Sequence, residues 1–241
     1  MNRTLLTEMT CMSLFIGMTC LAILCDRIGR RKRHEDGHPE VSGVIISALF
    51  ALLGLLIAFT FSGAYSRFDA RRQLMVEEAN AIGTAYLRVD LLPLAAQGPV
   101  REKFREYASL RAALYPRLVD SDAVSADLAE AAELQQDIWA RVIAATTGME
   151  QQTTRMLLLP AINEMIDIVT TRSVAIQTHP PALVWAMLFC IALTCAGLTG
   201  YRAGLTKGRG SLYHVLLAAI IASILYVTLD IEYPPTRTGS T

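Results

Sequence analysis

Apolar residues fall into four blocks, with polar residues gathered in the spaces between them. The first block runs from about Leu5 to Cys25, the second from Val41 to Ser62, the third from Ala182 to about Gly200, the fourth from Ser211 to Leu229. At a helical rise of 1.5 Å per residue, each can cross a hydrocarbon core of about 30 Å. The second block does not stop at its polar edge. No proline lies between Pro39 and Pro93, so nothing in that interval removes an amide donor or clashes with the preceding turn. The pattern predicts one helix over Val41–Leu92, a rod of roughly 78 Å. Its far part, with Arg67, Asp69, Arg71, Arg72, Glu77 and Glu78, stands outside the lipid as a stalk.

On the stalk Phe68, Met75, Ile82 and Val89 recur every seven residues, with Tyr65, Ala79 and Tyr86 beside them. Such a seam must pack against other helices, and three follow. Pro93–Pro99 reads as a turn, with Pro99 at the first position of a helix over Val100 to about Leu114. Its stripe is Phe104, Tyr107, Ala108, Arg111 and Leu114, and Tyr115-Pro116 ends it. Asp120-Ser121-Asp122 supplies capping side chains for a segment from Ala123 to about Thr146, stopped at Thr147-Gly148. The last helix runs from about Met149 to Gln177, kinked at Pro160, before the rigid break Thr178-His179-Pro180-Pro181. The expected fold is an all-α integral membrane protein. It has four transmembrane helices and an extramembrane helical bundle between the second and third spans, divided as 1–62, 63–181 and 182–241.

Composition supports a membrane protein and narrows its chemistry. Only 18% of the 241 residues are charged, the mean hydropathy is +0.37 and the formal net charge is zero. A soluble domain carries nearer a quarter charged residues, and a nucleic-acid binder would be basic. All five cysteines lie inside apolar blocks without metal-ligand spacing, so neither a disulfide framework nor a zinc site is expected. The first block is a poor signal peptide: Arg3 precedes it, while Arg27, Arg30, Arg31, Lys32 and Arg33 follow. Loops 26–40 and 201–210 hold eight Lys/Arg in all, against Arg3 and Arg237 in the two tails. The positive-inside rule therefore places those loops in the cytoplasm and puts both termini and the bundle outside.

Candidate chemistry is sparse. His34 and His38 are four apart, but Gly37 and Pro39 break the helix that would align them, leaving a solvated turn. No nucleophile, P-loop or dinucleotide motif is present, so neither an enzyme nor a cofactor is expected. No span carries a charge at its midpoint, which argues against a proton-coupled transporter. Ala192, Ala196, Gly200 and Gly204 form a small-residue stripe that lets helix backbones approach closely in lipid. Ile45, Leu49, Leu52, Leu56 and Phe59 share one face of the second span. They either pack on the other spans or line a pore as an apolar constriction that gates by dewetting. Arg71 and Glu78, on the seam's edge, pair within the bundle or form a charged ring between subunits.

Particular residues resemble a known family. Arg72 with Leu74-Met75-Val76-Glu77-Glu78-Ala79-Asn80-Ala81-Ile82, Leu92-Pro93 and Arg105-x-Tyr107 are similar to the bacterial bestrophin-like group. So are Ala161-Ile162-Asn163-Glu164-Met165-Ile166-Asp167 with Arg172, Gly200-Tyr201, and Leu229-Asp230-Ile231-Glu232-Tyr233-Pro234. The tail departs from the group's pattern, since Pro235-Thr236 intervene before Arg237. The resemblance implies a homo-oligomeric protein of the bacterial inner membrane, distantly related to bestrophins, which are pentameric anion channels. It marks Arg72, Glu78, Asn80, Asn163, Asp167, Arg172, Asp230 and Glu232 as polar residues of interest. Bestrophins carry their helical domain in the cytoplasm, whereas the charge rule places this one outside. Their calcium-binding acidic cluster and aromatic pore neck have no residue-by-residue counterpart here. Two function classes follow: a pore for ions, or a non-conducting envelope sensor or scaffold whose bundle binds a ligand or an unspecified protein. Counting heights along the helices sets Glu78 roughly 10 Å from the level of Arg172. That count pairs Glu78 with Arg71, Arg155 or a neighbouring subunit, and Arg172 with Asp230 or Glu232.

Overall fold

The computed structural model describes residues 3–32, 43–114, 121–206 and 211–233. Among these the chain is helical throughout: α1 (Arg3–Lys32), α2 (Gly43–Arg88), α3 (Leu94–Leu114), α4 (Ser121–Ala145), α5 (Gln152–Gln177), α6 (Ala182–Leu205) and α7 (Ser211–Glu232). Short 3-10 turns at Val89–Leu91 and Met149–Gln151 precede α3 and α5. The His34/His38 turn, the Tyr115-Pro116 stop, the Asp120 cap and the tail from Pro234 lie outside the described residues, as do Lys207 and Arg209. Four helices are long and apolar enough to cross a membrane, within Leu5–Lys32, Gly43–Leu91, Gln152–Leu205 and Leu212–Glu232. The helices fall into two units. One comprises the described parts of Met1–Phe68 and His179–Pro235, the other those of Asp69–Thr178.

In the first unit α1 packs along α6 with almost no side chain between them. Ala22 meets Gly200, and a Cβ on that glycine would overlap the Ala22 carbonyl. Gly204 lies equally close to the Asp26 carbonyl, and Gly29 to that of Tyr201. The stripe Ala192, Ala196, Gly200 and Gly204 is buried along its whole length. Small residues let the backbones touch, and dispersion over that contact holds helices together where lipid supplies no hydrophobic drive. Larger side chains pack toward the starts of the two helices: Leu14, Met18 and Leu188, joined by Leu225 of α7, with Trp185 and Phe189 tilted together at 6.5 Å.

The second unit is closed the opposite way, by bulky side chains. Phe104, Tyr107, Ile138, Leu158, Ile162 and Met165 are at most 1% exposed. Each such apolar burial contributes about 1.5–3 kcal/mol. The buried line that α2 and the turn after it present in this unit is Glu78, Ala81, Ala85 and Val89; of the expected heptad Val89 is buried and Ile82 flanks the core, while Met75 is only half-buried. Phe68 is 39% exposed. Alanines form the true seam because they let neighbouring helices come close, while Ile82 and Tyr86 cover its flank. Helix α3 begins at Leu94, so Pro99 lies inside it instead of opening it. Pro93 is the real stop: its carbonyl accepts from Ala96 N at 2.8 Å. The Gln97 amide donates back to the Leu92 carbonyl at 2.8 Å, filling an acceptor the break leaves open. Gly148, at φ +122°, turns the chain between α4 and α5 in a region other side chains avoid. Pro160 lies within α5, as expected.

Candidate functional site

Among the described residues each unit contains one buried glutamate, held by two basic side chains. In the second unit Glu78 is 1% exposed and Arg111 and Arg172 are each 4% exposed. Arg111 Nε donates to Glu78 Oε1 at 2.5 Å, and Arg172 Nη1 donates to Oε2. Three helices thus converge on one carboxylate: α2, α3 and α5. Burial pushes the Glu78 carboxyl upward, but the hydrogen bonds and charges of Arg111, then Arg172, outweigh it and hold the group below its ordinary value. Below this cluster the Gln135 amide donates to Tyr107 Oη at 2.9 Å. Burial raises the Tyr107 phenol and the Glu78 charge adds to that, against Arg111, Gln135 and Arg172. With two guanidiniums on one carboxylate, this packing joint stays charged at any pH where Glu78 is ionised.

These contacts correct the expected pairings. Arg172 reaches Glu78, which was expected to pair with Arg71, Arg155 or a neighbour. The height count failed because it gave every residue a helical rise. Thr178 (ψ 111°) and Pro181 (ψ 142°) are extended, and an extended residue advances about 3.3 Å against 1.5 Å in a helix. These two residues alone recover roughly 4 Å of the roughly 10 Å discrepancy. Arg111 appeared in the sequence only as a member of an apolar stripe. A lone arginine between Tyr107 and Leu114 on a buried face was the available signal, since a charge there must meet a partner.

In the first unit Glu232 is 0% exposed and ends α7. Arg67 of α2 grips it bidentately, Nε to Oε1 and Oε2 at 3.1 and 3.0 Å and Nη2 to Oε2 at 2.7 Å. His179 Nδ1 lies 3.1 Å from Oε1, and its ring rests on Tyr233 with centroids 4.6 Å apart. The sequence marked Glu232 but neither of these partners. Asp230, two residues earlier, is half-buried.

The other marked residues lie at the surface. Arg72 and Asn80 are exposed, and Asn163 donates to Asp167 Oδ2 at 2.7 Å across one exposed helical turn. Asn80 lines a groove of about 280 Å³ with Glu77, Ala81, Thr84, Glu164 and Ile168. A larger open groove of about 830 Å³ is lined by Gly148, Gln152, Arg155, Met156, Leu159 and Pro160. Nearby, Arg105 donates to Tyr86 Oη at 3.2 Å, and the Arg101 guanidinium sits 5.9 Å over the same ring. Of the five candidate pore residues, Ile45, Leu52 and Phe59 are exposed, at 57, 44 and 67%. Leu49 and Leu56 instead pack against the core of their unit. Among the described residues no group of three or more His, Cys, Asp or Glu side chains could hold a metal.

The bestrophin-like domain model matches residues 12–236, nearly the whole chain, so the protein belongs to the bestrophin-like family. Its fold is similar to a crystal structure of a bacterial bestrophin homologue from Klebsiella pneumoniae that carries a point mutation. The TM-score is 0.67 at 17% sequence identity, over 94% of this chain and 92% of that one. Curated proteins provide no match. The apolar helices and that bacterial homologue together fit a bacterial membrane protein.

Proposed function

We propose that the protein is a non-enzymatic subunit of a homo-oligomeric ion pore in the bacterial inner membrane, with α2 lining the axis. One observation carries the choice of helix. In the most apolar stretch of α2 only 11% of residues are buried, against 22 to 33% in the other three candidate spans. The covered side of α2 is Ile46, Leu53 and Ala64; the open side carries Ile45, Leu52, Leu55 and Phe59. Further copies of the chain would bring those open faces together as stacked apolar rings, a constriction that closes by losing its water. The family's distant relation to bestrophin anion channels supports permeation and makes anions the first ions to test. The loop charges favour placing the second unit and both termini outside. The test is reconstitution: liposomes carrying the protein should pass chloride or sodium, and Phe59→Ala should raise the flux. No flux of either ion, together with a detergent mass of one subunit, would overturn the proposal.

A second reading rests on the groove along the start of α5. Its mix of apolar wall (Met156, Leu159, Pro160) with Arg155 and Gln152 suits a ligand or partner protein bound by a non-conducting sensor or scaffold. Crosslinking in cells through Arg155-position photoprobes separates the two, since the sensor requires a contact other than with another copy of the chain.

A further inference from the structure

The packed face of α2 in the first unit ends on a charge. Ile46, Leu53 and Ala64 are 7, 2 and 0% exposed, and Arg67 follows Ala64 by one helical turn. Gly63 leaves room for the guanidinium to lie back along the helix, since a Cβ there would stand 3.2 Å from Arg67 Nη1. Arg67 then reaches Glu232 through three hydrogen bonds of 3.1 Å or less. On the same Oε1, His179 Nδ1 competes at 3.1 Å. A carboxylate only accepts, so Nδ1 carries a hydrogen whether the ring is neutral or charged. Acid therefore changes the charge of the cluster and leaves this contact in place. The groups facing the imidazole are the Glu232 carboxylate from α7, the Arg67 guanidinium from α2 and the Tyr233 ring. Since Arg67 Nε and His179 Nδ1 meet on one oxygen, they are within about 6 Å of each other. A proton on the ring sets two cations against each other over one carboxylate. Repulsion at that range acts on Arg67.

We infer that Arg67, Glu232 and His179 form a proton-controlled latch: protonation of His179 weakens the hold of Glu232 on Arg67 and frees α2. Both bases are partly open to solvent, with side chains 28 and 27% exposed, so protons reach them. The consequence for conduction rests on the pore proposal, because freeing α2 alters a pore only if α2 lines one. The latch itself does not depend on conduction.

A fluorinated phenylalanine replacing Tyr65, which is 56% exposed and two residues before Arg67, reports the setting of α2 by 19F resonance in the full chain. The resonance should move in one single-proton step between about pH 8 and 5, the range in which imidazoles titrate. His179→Phe keeps a ring on Tyr233 but removes the proton site, and it should abolish the step while leaving the resonance at its alkaline position. Glu232→Gln should hold it near the acid position at every pH. A resonance without a step in the unsubstituted protein, or the same step in His179→Phe, overturns the latch; if Glu232→Gln does not fold, the His179→Phe arm still decides. Flux measured alongside keeps the two ideas apart. A step in a protein that passes no ion at any pH and has a detergent mass of one subunit fails the pore and leaves the latch standing.

Discussion

Glu78 and Glu232 are both buried and both held by two bases, and they differ in what those bases are. Glu78 lies between two arginines that are themselves buried, and arginine does not titrate in proteins. Glu232 shares one arginine with an imidazole, and both partners are partly open to water. The first arrangement is a fixed joint and the second is adjustable. The cores around them differ in the same sense. Phe104, Tyr107 and Met165 fill the space behind Glu78, whereas Gly200 and Gly204 bring backbones into contact in the unit that holds Glu232.

The largest expected effect is at the fixed joint. Glu78→Ala leaves two guanidiniums facing each other without a carboxylate, and such broken buried pairs cost about 3–5 kcal/mol. Denaturant unfolding, or hydrogen exchange in α3 and α5, measures it. A loss under about 1 kcal/mol would reduce this cluster to the value of a surface pair and erase the contrast with Glu232. The joint also has a pH signature. Because folding lowers the Glu78 carboxyl, its contribution is complete above the ordinary carboxylate range and is lost as pH falls through the lowered folded value. The unsubstituted protein should thus lose stability in acid, and Glu78→Gln should show a flatter profile from a lower starting point. An equally steep profile in both would assign the acid loss elsewhere.

Backbone packing in the other unit predicts a smaller but definite loss. Gly200→Val forces a branched side chain into the Ala22 carbonyl, and overpacking of this kind costs about 1–3 kcal/mol. Thermal unfolding in detergent should show it, while Gly54→Val, where nothing lies within 4 Å of a Cβ, should pass nearly unchanged. Equal losses for the two would mean that strain in the helix, and not the α1–α6 contact, sets the cost.

The four apolar blocks were legible because burial in lipid leaves no room for charge over a whole span. Helix starts and stops were legible wherever a proline pair or glycine marked them, as at Pro180-Pro181 and Gly148. Pro99 misled because proline is tolerated both at a helix start and within its first turns, and the stop was already made by Pro93. The seam of α2 misled because its large residues, Phe68 and Met75, outweigh Ala81 and Ala85 in any hydrophobic count. Close packing selects the small ones. Site residues were half legible: Glu78, Arg172 and Glu232 stood out, but their partners depend on helix rotations and on an extended linker. Periodicity in one chain does not carry that information.

The smallest expected effect sharpens the comparison most, because it concerns the next residue. Glu77 and Glu78 have the same chemistry and are one helical step, about 100°, apart. Glu78 points into the core, while Glu77 is exposed, accepts from Gln73 Nε2 at 3.0 Å one turn earlier, and lines the groove with Asn80 and Thr84. An exposed contact at this spacing stabilises a helix by only about 0.2–0.5 kcal/mol. Glu77→Ala should therefore change unfolding by no more than about 0.5 kcal/mol, roughly a tenth of the loss at Glu78. If the two substitutions proved equally costly, the carboxylate that locks the unit would not be chosen by helix rotation. The burial of Glu78 between Arg111 and Arg172 would then have no energetic meaning. If Glu77→Ala left stability intact but altered flux in liposomes, the groove it lines would belong to the route of the ions.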